Sequence, residues 1–166
     1  MSRSTSVIHE NVDLHPTAQL GDYCIVYPNT IIKSGVTIDD HAIVGKPPHT
    51  GRNQMELDSN KNKTIINSNT YIGSQSIIYQ GSNIGSHCYL ADRAFIRENV
   101  NIDSDVVIGT NVIVSYNANI SSGVKIMTGT NIGGNMKIGK DSFIGVQVTS
   151  FNDNTPSRSK DRDEMT

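Results

Sequence analysis

Few groups in this chain can take up a proton, hold a metal or present an amide, and their spacing narrows what they do. Five histidines stand at positions 9, 15, 41, 49 and 87, and two cysteines at 24 and 88. A zinc hydrolase gathers three ligands on one metal. Here only His9 and His15 are near each other. No Ser/His/Asp nucleophile arrangement is legible. What remains is single side chains, an imidazole that accepts a proton or an amide that orients a reacting group. His87 and Asn117 are the candidates, and the fold that carries them decides whether they meet a ligand.

That fold is written in a six-residue repeat. From Ile8, every sixth residue is Leu14, Leu20, Val26, Ile32, Ile38 and Val44. After a break the register restarts at Ile66 and runs to Ile144 without a miss. The fifth place of each hexad is small or β-branched, as in Cys24, Val36, Thr70 and Ala94, with Met136 the exception. The fourth place is Asn, Gly, Asp or His in 15 of the 20 complete hexads, the types that tolerate positive φ. Each hexad therefore ends in a left-handed corner. A short strand and a corner, repeated with one aliphatic and one small residue inward, describe an all-β chain coiled as a parallel β-helix. Three hexads close a triangular coil of 18 residues, so 21 hexads predict seven coils, stacked to a height of roughly 34 Å.

Length and composition agree with one such domain over residues 7–149. Two segments leave the register: an insertion at 46–64 (KPPHTGRNQMELDSNKNKT), mildly basic, and a polar tail at 150–166 without aliphatic positions. No apolar run approaches the roughly 18 residues of a membrane span. No apolar stretch follows the polar first six residues as a secretory signal requires, so a cytoplasmic chain is expected. A net charge of −2 supplies no basic field for nucleic acid or anionic lipid.

Positions 18 apart share a column on the outside of the coil. One sixth-place column reads Tyr71, Tyr89, Val107, Lys125, Phe143, and the next Ile77, Phe95, Ile113, Asn131, Thr149. The third reads Asn83, Asn101, Asn119, Lys137. Two contiguous apolar columns predict protein contacts on two faces, as in a homotrimer whose subunits each meet two neighbours. His9 and His15 fall at second places on successive faces and point apart. Arg93, Arg97 and Glu98 are expected to be solvated.

The hexads, interrupted by one protruding loop, resemble the hexapeptide-repeat acyltransferases over about residues 7–153. The stretch IGSHCYLADRAFIREN (84–99) is similar to coils of UDP-N-acetylglucosamine acyltransferases. KIGKDSFIGVQVTSFNDNTP (137–156) looks like a segment of the nucleotide-sugar N-acetyltransferases. The resemblance implies a left-handed helix, a trimer, acetyl-CoA as donor and no metal. It implies a small sugar as acceptor, carried on a nucleoside diphosphate. In those relatives further coils follow the second segment and carry much of the coenzyme A site, whereas this chain ends 13 residues after Asp153.

Acyl transfer by direct attack needs a proton acceptor, an oxyanion donor and alignment. His87 is the expected general base and Asn117 the acceptor-orienting amide, both at fourth-place corners. VSYNANI (114–120) looks like an Asn-bearing coil of the sugar N-acetyltransferases. Apposed apolar faces would bring the two corners together from different subunits. Asn152 and Asp153 are expected substrate contacts, since the matching loop reaches a neighbour's acceptor site in the family, and Tyr116 is placed to stack on a base or sugar. Two other readings stand beside this one: a non-catalytic β-helix scaffold, and a γ-type carbonic anhydrase, which shares the fold.

Overall fold

The computed structural model describes residues 5–49 and 63–151. Asn152 and Asp153 lie outside the described residues. Among those described there is no helix. Three parallel sheets of seven short strands each form the walls of a β-helix, in the order the hexads predict.

The first face holds Val7–Ile8, Ile25–Val26, Ile43–Lys46, Ile77–Tyr79, Phe95–Ile96, Ile113–Val114 and Asn131–Ile132. The second holds Asp13–Leu14, Thr30–Ile32, Thr64–Ile66, Asn83–Ile84, Asn101–Ile102, Asn119–Ile120 and Lys137–Ile138. The third holds Gln19–Leu20, Thr37–Ile38, Tyr71–Ile72, Tyr89–Leu90, Val107–Ile108, Lys125–Ile126 and Phe143–Ile144. Each coil contributes one strand to every face, which makes seven coils. Register is set by the pleat: Ile78 lies beside Ile96, and Ile96 beside Val114. A slip of one residue would turn the aliphatic column outward.

The core is the stack of first-place aliphatics. Ile32, Ile66, Ile84, Ile102 and Ile120 are each at most 1% exposed. Beside them the fifth-place column lets the walls close up, and the next coil answers its buried hydroxyls at Thr70 and Ser82, though not at Thr30. Thr70 Oγ1 donates to the Gly85 carbonyl at 2.7 Å and accepts from the Cys88 N–H at 3.1 Å. Ser82 does the same with the Arg97 carbonyl and the Val100 N–H. A buried hydroxyl satisfied twice is tolerated in an apolar interior.

The corners follow the fourth place. Nineteen of those twenty residues have positive φ, Thr17 being the exception. They include Tyr23, Gln75, Arg93 and Gln147, types that enter this region at a cost. The stack therefore imposes the left-handed corner even where the residue does not favour it.

The insertion begins later and ends earlier than the sequence predicts, and the tail begins later. Lys46 ends a first-face strand and Thr64 opens a second-face strand. Both belong to the helix because they find ladder partners, Lys46 beside Tyr79 and Thr64 beside Thr30. At the other end, Thr149 bridges Asn131 and the Ser150 N–H donates to the Asn131 carbonyl at 3.0 Å. The insertion leaves the third coil between the first and second faces. At its root the pairing slips, so that Ile78 faces Val44 but Tyr79 faces Lys46. Gly45 is the extra residue, at φ 77°. Such a bulge re-aims the side chain after it.

Candidate functional site

His87 stands at the corner between the second and third faces, in the fourth coil. It is exposed, with φ 58°. Its N–H donates to the Ser68 carbonyl at 3.1 Å. Directly before it, Ser86 lines an open groove of about 590 Å³ shared with Asn67, Asn83, Asp103, Ser104 and Asp105. Amides join along this groove: Asn67 Nδ2 donates to Asn83 Oδ1, and Asn83 Nδ2 to Asn101 Oδ1, each at 3.0 Å. The lining of amides, hydroxyls and two carboxylates matches a hydroxylated ligand, and the carboxylates favour an ammonium on it. Cys88, next in the chain, offers no nucleophile. It is buried, its thiol contacts the Asp103 carbonyl at 3.1 Å, and burial pushes its pKa up to about 11.

Asn117 stands at the other edge of the second face, in the sixth coil. One chain therefore does not bring His87 and Asn117 together. Asn117 is exposed, with φ 55°, and its Nδ2 donates to Asn135 Oδ1 at 3.2 Å. Tyr116, the residue placed to stack on a base or sugar, is half-buried. Its ring lies against Gly134, where an added Cβ would come within 2.7 Å of Tyr116 Cζ. The Arg97 guanidinium lies 5.7 Å from its centroid.

Arg97 and Glu98 correct the expectation of solvated residues. Glu98 is 3% exposed, and Arg97 binds it through Nε and Nη2, both at 2.7 Å. A buried carboxylate needs such a partner, and this pairing raises the Arg97 pKa above its ordinary value. The guanidinium also sits 6.0 Å from the Tyr79 centroid, and Lys46 Nζ lies 5.4 Å from the same ring. Together with Tyr27, Pro48 and Phe95 these residues line a cleft of about 420 Å³ at the corner between the first and second faces. Reading second places at intervals of 18 would have found part of it, since Tyr79 and Arg97 share that column. The role of Lys46 depends on the bulge at Gly45, which no periodicity announces.

His9 stacks on Tyr27 at 5.1 Å and His15 Nδ1 bonds Thr17 Oγ1 at 2.9 Å. Among the described residues no three His, Cys, Asp or Glu side chains gather as a metal site. The outward columns keep their predicted polarity. Tyr71 and Tyr89 stack at 5.1 Å, Tyr89 and Phe143 are 49% and 68% exposed on the third face, and Ile113 is 39% exposed on the first. The Tyr71 hydroxyl donates to Asp39 Oδ2 at 2.6 Å, which raises its pKa.

Solved structures share this architecture. UDP-N-acetylglucosamine acyltransferase from Francisella novicida superposes with a TM-score of 0.66 at 18% identity, over 86% of this chain and 62% of that one. The acetyltransferase domain of PglB from Neisseria gonorrhoeae gives 0.60 at 15% identity, over 75% and 55%. The fold is the left-handed β-helix of the hexapeptide-repeat acyltransferases. A perosamine N-acetyltransferase from Caulobacter crescentus, in complex with CoA and GDP-perosamine, matches at 0.54 and 18% identity, over 89% and 54%. The hexapeptide-repeat chain described here thus spans between about half and three-fifths of the length of these structures. No protein-family profile and no curated sequence matches it.

Proposed function

We propose that this chain transfers an acetyl or longer acyl group from a coenzyme A thioester to an amino or hydroxyl group of a nucleotide-linked sugar. The observation that carries the reading is the polar groove beside exposed His87, set on a fold whose solved examples include acyltransferases with CoA bound. In this reading the acceptor's sugar lies in the groove, with its amine drawn by Asp103 and Asp105. The amine nitrogen attacks the thioester carbonyl, the carbon–sulfur bond breaks, and coenzyme A leaves as the thiol. His87 takes the proton that the acceptor nitrogen or oxygen loses and passes it to the departing sulfur. No covalent enzyme intermediate is needed.

Asn117 orients the acceptor from a neighbouring subunit, Tyr116 borders it, and Asn152 and Asp153 complete the contacts. This requires a homotrimer that apposes the first face of one copy to the third face of the next. The exposed Ile113, Tyr89 and Phe143 support that packing. Acetyl-CoA is the donor and no metal takes part. The chain works in the cytoplasm, without nucleic acid or membrane as partner.

The test is a screen of nucleotide-linked amino sugars with acetyl-CoA, followed by release of free thiol. Turnover that falls about a hundredfold or more in His87→Ala, with KM little changed, supports a general base. Unchanged turnover in that variant reduces His87 to a corner residue. No thiol release with any acceptor, and no thermal shift from coenzyme A, leaves a non-catalytic scaffold.

A further inference from the structure

One of the three corners departs from the residue rule that the other two keep. Among the described residues, the corner between the first and second faces holds Asn or Gly at positive φ, from Asn11 to Asn135. The corner between the second and third faces uses Gly, Asn, Asp and His87 there. Tyr23, Gln75, Arg93 and Gln147, the types that enter the left-handed region at a cost, all lie at the remaining corner, between the third and first faces. His41 stands there too, its ring stacked on Tyr23 at 5.1 Å. A coil that only had to turn would carry Asn or Gly at these places. Long side chains kept there against the backbone preference point to a use for their outer ends.

The third places of the same corner supply the complement. In successive coils the pairs are Asp22–Tyr23, Asp40–His41, Ser74–Gln75 and Asp92–Arg93, an acceptor followed each time by a donor. Asp22, Asp40 and Asp92 are exposed. Two of these carboxylates are held in place. Asp40 Oδ1 accepts from the Asp22 N–H at 2.7 Å and Asp92 Oδ1 from the Ser74 N–H at 3.0 Å, which leaves Oδ2 of each for another partner. Gly21 and Gly73 make the room, since an added Cβ would come within 2.7 Å of the Asp40 nitrogen and 2.6 Å of the Asp92 nitrogen. Arg93 is exposed and makes no ion pair with the described residues. Acceptor and donor stand side by side in each coil without bonding one another, so the edge is complementary to a second copy of itself.

We infer that this edge fixes the axial register between copies of the chain, the donor of each coil bonding the acceptor of the next copy at the same height. The inference rests on the trimer of the proposed function and adds what its apolar faces do not supply. Apposing first and third faces turns the edge they share toward the threefold axis. The apolar columns recur from coil to coil, as at Ile77, Phe95 and Ile113. Two copies can therefore slide by one coil, about 4.8 Å, and still bury apolar surface. A slip repeated around the axis makes an open spiral, and only equal heights close a ring. The edge residues, by contrast, change with every coil. In register, Arg93 meets the partner's Asp92, three times around the axis. One coil out of register it meets Ser74 or Thr110 instead, and the three charge-assisted bonds are lost.

The test compares the whole chain with a variant that restores favoured corner residues, Tyr23→Asn, His41→Asn and Arg93→Asn together. Both apolar faces are untouched, and circular dichroism checks folding. By native mass spectrometry and sedimentation the parent is a single trimer. The folded variant spreads over monomer and open oligomers, its trimer dissociating at about tenfold higher concentration or more. A second measurement does not depend on that variant. Arg93→Cys, oxidised under native conditions, crosslinks copies in pairs, whereas Asn119→Cys in the middle of the second face does not. A single trimer of unchanged affinity in the folded triple variant overturns the inference and leaves the trimer standing. So does a trimeric Arg93→Cys variant that fails to crosslink. A monomeric parent overturns the trimer and this inference together, and thiol release from the same sample then scores acyl transfer by itself.

Discussion

Two corners of the same repeat, running side by side up the helix, have been put to different uses. Between the second and third faces the corner is regular. Ser68, Ser86, Ser104 and Ser122 follow one another at intervals of 18, and the fifth-place hydroxyl of Thr70 is fully bonded to the coil above. Between the first and second faces the corner carries Tyr27, Tyr79, the Arg97–Glu98 pair and Tyr116, and the insertion leaves from it. The backbone is the same at both, with positive φ at His87 and Asn117 alike. The difference lies in second- and third-place side chains, and in one bulge. A repeat that repeats its corners therefore has freedom to specialise one of them without disturbing its core.

The contrast is most easily broken at the ion pair. Arg97→Met leaves Glu98 buried without its partner and should lower stability by about 3 kcal/mol. Ser104→Ala at the regular corner should change it by no more than about 0.5 kcal/mol. Urea unfolding of the two variants measures both, and equal effects would mean that the pair is solvated in solution.

Glycine substitutions set a covered coil against the last one. An added methyl at Gly134 meets the Tyr116 ring at 2.7 Å, whereas at Gly139, which follows the last strand of the second face, the nearest atom is Ser142 Oγ at 3.9 Å. Gly134→Ala should cost about 1–3 kcal/mol through overpacking. Gly139→Ala should be neutral or slightly stabilising. Thermal melts of the pair would show a clear gap in favour of Gly139→Ala.

A third comparison sets two buried threonines against each other. Thr30 Oγ1 has no hydrogen-bond partner, because the coil above it detours into the insertion after Gly45. Thr70 Oγ1 has two. Thr70→Val should therefore cost about 1–2 kcal/mol, and Thr30→Val should cost nothing or stabilise. Identical losses in chemical denaturation would argue that Thr30 finds a partner in solution.

The last comparison, one of pH dependence, concerns Cys88 at the regular corner. Burial raises its pKa from 9.0 to about 11, so the folded chain keeps a proton that the unfolded chain releases. The stability this contributes is complete below pH 9 and is lost as pH rises through about 11. Stability measured across that window should fall, and Cys88→Ala should flatten the fall. At pH 8 the thiol should resist alkylation until the chain unfolds.

Much of the fold is legible before any coordinates. Ile66 to Ile144 recur every six residues, and small side chains sit one place before the outward one. Asn and Gly mark most of the corners. That pattern determines the three faces, the seven coils and the outward columns, because a coil of fixed period turns sequence spacing directly into position. Tyr71 and Tyr89 are stacked for this reason alone.

The sites are less legible, and particular residues show why. His87 and Asn117 were readable as residues of two different corners, on opposite edges of the second face, because the period alone assigns each hexad its corner; what covers those corners is not written in the period. Glu98 reads as a solvated charge in any one-dimensional pattern. It is buried with Arg97 as its partner, and Arg97 in turn lies against tyrosines of the coils on either side. Lys46 reaches Tyr79 only because Gly45 adds one residue to a strand. Period and residue type are local quantities, and the sequence alone determined what depends on them. The buried ion pair, the orphaned Thr30 hydroxyl and the cationic cleft depend on contacts between coils and across an interruption, where the spacing rule fails, so tertiary structure alone decided them.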